Sequence, residues 1–328
     1  MNCFLKYIFA GLFAGVLLLA SDVVAQDKPQ GDDFYKVPED NIPALLAFIE
    51  KLEGFEPADV AEFFAYKNKA PKALQQAAQR IVDLEKDKSS AAYRKAMGIL
   101  LVEKLQTLGE LPADQQEKII GSVIAYLNSQ QELSGSDVQL AMSAGEAAEY
   151  SGNRELGRDT YRRLAEIVRG TGQVHLADLA QMMAGASRRL DLIGKPFELT
   201  GQTLDGKPFD LAQWKGKVVL VDFWATWCAP CIEEFPNIQE NYAKYHDQGF
   251  EVVGISLDEE RQDVVSFLEQ KKLPWQILHD SENEGQHPAT IHYGIFGLPA
   301  LFLIDKQGKV VSLNPRGEEL GRLLSKLL

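Results

Sequence analysis

The chain has 328 residues, 45% hydrophobic and 25% charged, with a formal net charge of −13 at pH 7. That length supports about two ordinary domains, each with a sizeable core, and that balance excludes global disorder. So acidic a chain, with no basic stripe to offset it, is not built to bind nucleic acid.

The N-terminus reads as a targeting segment. Lys6 supplies a short positive region, residues 7–20 are uncharged and strongly apolar, and Val23-Val24-Ala25 offers a small residue at a cleavage point before Gln26. The apolar run suits a signal peptide over 1–25 and is short for a bilayer span, which needs about 20 residues. The alternative is an uncleaved anchor, the one case in which the chain would be membrane-bound. Either way the expectation is an exported protein of the periplasm or cell envelope. Cys3 stands ahead of the apolar core, where a lipoprotein cysteine would not be. Cleavage would remove Cys3 and leave Cys228 and Cys231 as the mature chain's cysteines, which avoids mispairing in an oxidising compartment.

Residues 26–36 are polar and read as a flexible linker. From 37 to 191 the pattern is helical almost throughout, with apolar residues at three- and four-residue spacing and glycines between the runs. Helices are predicted over 43–52, 58–66, 72–84, 91–108, 114–127, 137–150, 154–168 and 174–190, giving an all-α domain. Gly145, Ala148, Gly157 and Tyr161 suit two packed antiparallel helices, as in a tetratricopeptide unit, but no convincing second copy follows at a period of about 34 residues. An irregular bundle and a short platform for a protein partner both remain open.

The composition changes near Leu192, and a second domain is predicted over 192–328. The Asp205-Gly206 step favours a hairpin turn. Strand 218–224, helix 231–245, strand 250–257, helix 261–270 and a short strand 275–278 follow. Strands 301–304 and 309–313 and helix 318–327 close the chain. This order predicts an α/β fold, a mixed central sheet flanked by helices. His287 and His292 fall in a stretch from about residue 281 that reads as a surface loop, a candidate substrate rim with solvated histidines.

The chemistry is carried by Trp227-Cys228-Ala229-Pro230-Cys231, directly after the apolar run 218–224. Two cysteines three positions apart at a helix start lie on one side of its first turn, so their sulfurs can join or separate with little backbone movement. Cys228, at the helix N-terminus, is the expected nucleophile, because unpaired N–H groups and the helix dipole favour its thiolate. Cys231, one turn inside, is the expected resolving thiol. Pro230 just inside the helix start forfeits no needed hydrogen bond, and Trp227 is expected to shield one side of the sulfurs. Zinc would need further ligands, and none of the five histidines shows metal-ligand spacing. No metal and no cofactor beyond a redox-active Cys228–Cys231 disulfide is therefore expected.

The stretches Gly201-Gln202-Thr203-Leu204-Asp205-Gly206-Lys207, Trp214 to Cys231, Glu233-Glu234-Phe235-Pro236 and Gly297-Leu298-Pro299-Ala300-Leu301-Phe302-Leu303-Ile304-Asp305 resemble the redoxin branch of the thioredoxin superfamily. Within it, the similarity is to the TlpA/ResA-like envelope thiol-disulfide oxidoreductases. The resemblance covers about residues 192–328 and leaves out the helical half. It implies that Pro299 is a cis-proline facing the cysteines and presenting backbone to a substrate chain, with Trp227 and Leu298 beside it. Leu298 and Ala300 depart from the family's usual β-branched residue and threonine around that proline. It further implies that Asp222 is a buried acid beneath the cysteines, able to shuttle the resolving thiol's proton. Glu234 matches the acid that tunes the same thiols in this group. Two carboxyls near one dithiol can titrate jointly.

The function so implied is protein-disulfide reduction through the cysteine pair, with cysteine-containing proteins as substrates and an upstream thiol as electron donor. A thiol peroxidase is the first alternative. It needs a Pro-x-x-x-Thr-x-x-Cys loop, and Val221 and Ala225 stand where that proline and threonine would be. A redox-sensing adaptor, its helical domain binding a partner protein, is the second.

Overall fold

The computed structural model describes residues 32–39, 41–282 and 287–328. The predicted signal segment and most of the predicted linker lie outside the described residues. The chain divides into two compact units, one up to Ala77 and one over Ala78–Leu328. No helix of the described residues is long and apolar enough to cross a membrane.

In the first unit, α1 (Ile42–Glu53) starts where Asn41 accepts the Ala44 N–H at 2.9 Å, with Pro43 at its first turn. Its face of Leu45, Phe48, Ile49 and Leu52 is buried. Phe55 packs between Phe34 and Tyr66, ring centroids 5.0 and 5.5 Å away. Helix α2 (Val60–Leu84) runs from the first unit into the second. Two helices were expected here, and the structure has one, with Pro71 inside it. Proline removes one intrahelical hydrogen bond, at a cost of about 3 kcal/mol. The alanine-, lysine- and glutamine-rich turns on either side favour helix strongly enough to carry it through.

The second unit opens with five helices: α3 (Ala91–Gln106), α4 (Ala113–Asn128), α5 (Gly135–Glu149), α6 (Arg154–Gly170) and α7 (Ala177–Leu190). Their starts are specified locally. Ser90 caps α3, a Ser134–Asp137 capping box starts α5, and Asn153 caps α6. Leu127, Leu140, Leu164 and Met183 lie in their shared core. Gly145 and Tyr161 meet across the α5–α6 contact so closely that a Cβ on Gly145 would lie 2.3 Å from the Tyr161 ring.

Beyond α7 the chain turns to strands. A hairpin of β1 (Thr200–Gln202) and β2 (Pro208–Asp210) precedes the main sheet. That sheet comprises β3 (Val218–Trp224), β4 (Phe250–Ser256), β5 (Gln276–His279), β6 (Ala300–Ile304) and β7 (Val310–Leu313), in the order β5-β4-β3-β6-β7. Strands β4 and β5 run parallel to β3 along one side, whereas β6 is antiparallel to β3 and β7 to β6. Helices α8 (Ala229–Tyr245), α9 (Arg261–Lys271), α10 (Pro288–Tyr293) and α11 (Glu318–Leu327) complete the second unit. This is the helical region followed by the mixed, helix-flanked sheet that the pattern predicts.

Strand β3 is buried along its whole length, and its alternation decides what each face sees. Val219, Val221 and Phe223 face a core that includes Ala289 and Tyr293 of α10. Val218, Leu220 and Trp224 face a core holding Cys228, Cys231 and Phe235. Asp222 shares that second face by parity, so it projects to the cysteine side. Because β6 is antiparallel to β3, with Phe223 opposite Ala300, the chain entering β6 arrives at the end of the sheet where β3 delivers the cysteines.

Helix α10 corrects the expected surface loop. His287 is 3% exposed, and its Nδ1 accepts the Ala289 N–H at 3.2 Å, capping α10. Burial pushes its imidazole below the usual pKa. His292, by contrast, is exposed as expected. Six residues bounded by Pro288 and Gly294 are too short to carry a helical period in sequence.

Candidate active site

Cys228 is the N-cap of α8, and Pro230 sits in its first turn. The two sulfurs form a disulfide with the Cα atoms 5.3 Å apart. The Cys231 backbone N–H, bonded to the Cys228 carbonyl at 3.1 Å, is shared with the Cys228 Sγ, which accepts it at 3.3 Å, so a donor of the helix start reaches the sulfur expected to carry charge. Cys228 is 5% and Cys231 1% exposed. Trp227, immediately before them, is 69% exposed, a large apolar surface offered to solvent beside a nearly covered disulfide.

The turn into the cysteines is fixed from β4. Asp258, just past that strand, is buried. Its two carboxylate oxygens accept the Thr226 N–H at 3.0 and 3.1 Å, and Oδ1 also accepts the Thr226 hydroxyl at 2.5 Å. Ser256 donates a further hydroxyl at 2.7 Å. A buried carboxylate so satisfied by donors needs no cation.

The Leu298–Pro299 peptide bond is cis. Pro299 is buried and Leu298 half-buried, touching both faces' cores. The Pro299 carbonyl is taken by Arg316, whose Nη2 donates to it at 2.6 Å. Two residues earlier, Asn314 accepts the Leu301 N–H at 2.9 Å and donates its own N–H to the Leu301 carbonyl at 2.7 Å. The turn between β7 and α11 thus holds the start of β6 through main-chain atoms.

Asp222 is 1% exposed, and its Oδ1 has no hydrogen-bond partner. Burial pushes its carboxyl up to about 7; the Arg316 guanidinium pulls it down, and the Glu234 carboxylate adds a smaller upward push. Glu234 is half-buried on α8, where its Oε1 accepts the Gly317 N–H at 2.9 Å and the Asn237 amide at 2.5 Å. It therefore ties α8 to the β7–α11 turn and reaches Asp222 through its charge.

Cys228, Cys231, Asp222, Glu234, Trp227, Leu298 and Pro299 all fall at one end of the sheet. Sequence reasoning missed Arg316, Asn314 and the Thr226–Asp258 pair. Asn314-Pro315-Arg316-Gly317 before a terminal helix is a visible turn signal, but nothing in it says which carbonyl the arginine reaches. Among the described residues, no group of three or more His, Cys, Asp or Glu is placed to hold a metal ion.

The AhpC/TSA family profile matches residues 193–313. The thiol-disulfide oxidoreductase ResA of Bacillus thuringiensis subsp. konkukian is 38% identical over 125 residues, 38% of this chain and 69% of that protein. ResA of Bacillus subtilis is 33% identical over 109 residues, 33% of this chain and 59% of that protein. Among solved structures, the thioredoxin domain of a thiol-disulfide oxidoreductase from Bacteroides vulgatus shares 32% identity at a TM-score of 0.37, covering 40% of this chain and 92% of that one. A DsbE-type thiol:disulfide interchange protein from Chlorobium tepidum shares 33% identity at a TM-score of 0.35, covering 40% and 92%. Since more than two thirds of a ResA protein aligns here at 38% identity, the chain belongs to the ResA-like thiol-disulfide oxidoreductases of the thioredoxin-like redoxin group.

Proposed function

We propose that this chain is an exported protein-disulfide reductase working through Cys228 and Cys231. The Cys228 thiolate attacks one sulfur of a substrate disulfide, and the other sulfur leaves as a thiolate. Asp222, as carboxylate, takes the Cys231 proton. Cys231 then attacks Cys228, the second substrate sulfur leaves, and the Cys228–Cys231 disulfide forms. Two electrons pass from dithiol to substrate, and an upstream thiol donor restores the dithiol. The observation that carries this reading is the placement of Cys228 at the N-cap of α8, with a helix N–H on its sulfur. Trp227 and the Leu298–Pro299 edge offer a substrate chain an apolar surface and main chain to lie against. Export rests on the composition of residues 1–25, and the reducing direction on the resemblance to TlpA/ResA-like proteins.

The test is insulin-disulfide reduction with dithiothreitol. The chain is expected to speed it, and peroxide consumption with the same thiol donor is expected to stay at background. No acceleration of insulin reduction would remove the reductase assignment. A finer prediction concerns Arg316. Arg316→Gln removes the positive charge that opposes burial at Asp222, so the carboxyl should titrate above its present value of about 7. The pH dependence of the unfolding midpoint reads that shift. A profile overlaying that of wild type would mean that the guanidinium charge does not reach Asp222.

A further inference from the structure

The contact between α7 and α10 is backbone on backbone. A Cβ on Gly185 would lie 2.3 Å from the Ile291 carbonyl oxygen and 2.6 Å from the Gly294 nitrogen. A Cβ on Gly294, at φ +58°, would lie 2.1 Å from the Ala186 nitrogen. Contacts this short admit glycine alone on either side. The last carbonyls of α10 are then claimed by consecutive arginines of α7. Arg188 donates to the His292 carbonyl, and Arg189 Nε to the Tyr293 carbonyl at 3.1 Å. Arg189 is buried and held in register by a two-bond pair with Glu149 of α5, at 2.6 and 2.9 Å. Immediately downstream, Phe296 stacks on Tyr161 of α6, centroids 5.8 Å apart and planes 10° apart. Three residues later comes cis-Pro299.

A helical region that merely rode on the sheet domain would bury apolar surface against it. Here the helices hold main-chain oxygens of the segment that delivers the proline, so they govern its backbone path as well as its place. We propose that α5, α6 and α7 form a positioning element of the redox site. Through Arg188, Arg189 and Tyr161 they set the path of residues 292–299, the edge along which a protein disulfide must lie to offer its sulfur to Cys228. Seating a protein disulfide on that edge rests on the function proposed above; control of the segment by the helices does not. None of the three residues touches the reacting sulfurs. Their effect runs through the geometry of the proline edge, where a displacement of about 1 Å can cost up to a hundredfold in rate.

The test uses the full chain and two variants. Gly185→Ala wedges a methyl into the α7–α10 contact. Arg188→Ala removes one carbonyl anchor from an exposed position and leaves the core intact, so it decides the matter if Gly185→Ala does not fold. Amide hydrogen exchange over 290–301 is expected to quicken about tenfold while β3 and β4 keep their protection. The KM for insulin should rise about tenfold, while the rate with 2-hydroxyethyl disulfide and the alkylation rate of Cys228 stay within about twofold of wild type. Unchanged exchange over 290–301 in the folded variants overturns the proposal. Equal losses on insulin and the small disulfide also overturn it, since they would mark general damage. Should wild type not reduce insulin at all, the reductase reading falls by itself, and the exchange data still decide whether the helices govern the segment.

Discussion

Cys231→Ser is expected to turn the chain into a covalent trap. Attack by Cys228 on a protein disulfide leaves a mixed disulfide, and without the second sulfur nothing inside the molecule releases it. The adduct should survive non-reducing electrophoresis and vanish with dithiothreitol. Cys228→Ser should form none, and both variants should lose at least about a hundredfold in insulin reduction. The order of the two sulfurs follows from position more than from exposure, since both are nearly covered. Cys228 caps α8 and already accepts a helix N–H, which is what a thiolate needs in order to form near neutral pH. Both sulfurs lie against the apolar core of that face, where a charged sulfur is poorly solvated unless a donor compensates it, and the helix N–H falls to Cys228. An adduct captured through Cys231 in Cys228→Ser would reverse the assignment.

What could be read from the sequence was what depends on neighbours in the chain. The apolar run at β3 gave a central strand and the spacing of the cysteines gave the redox pair, whereas Asp222 came from the resemblance to the thioredoxin superfamily and not from any local pattern. Residues far apart in sequence were harder. Arg316 meets Pro299 across 17 positions, and Thr226 meets Asp258 across 32. Neither an arginine before a last helix nor an aspartate after a strand announces its partner. Arg189 reaches Tyr293 across 104 positions, so the joining of the helical half to the proline segment had no local signal at all. Local reasoning failed outright in two places. Pro71 reads as a break, yet α2 passes through it, because the helix-forming turns around it outweigh one missing hydrogen bond. His287 reads as a solvated loop residue, yet it caps a helix too short to show a period.

Asp222→Asn should separate the acid's effect on stability from its role in the reaction. In the folded oxidised chain the carboxyl titrates at about 7, against 3.8 as the ordinary value. Between those values the folded state holds a proton that the unfolded state has released, so stability must fall as pH rises from about 4 to about 7 and level off above. The difference corresponds to roughly 4 kcal/mol at pH 8. Asparagine cannot ionise, so its unfolding free energy should lose this slope, and the variant should be the more stable protein by a few kcal/mol at pH 8, measured by denaturant unfolding. The comparison belongs to the disulfide form, in which neither cysteine titrates. Catalysis should move the other way. The first attack needs only the Cys228 thiolate and should change little, whereas resolution needs the Cys231 proton removed and should slow about a hundredfold. Rapid-mixing kinetics that follow the mixed disulfide as it forms and decays distinguish the two steps. If decay keeps its wild-type rate while the pH slope of stability disappears, Asp222 is a buried acid with no part in the proton's path, and the base lies elsewhere. If both change as expected, a carboxyl that weakens the fold above neutral pH is held there because the second step of the exchange needs it.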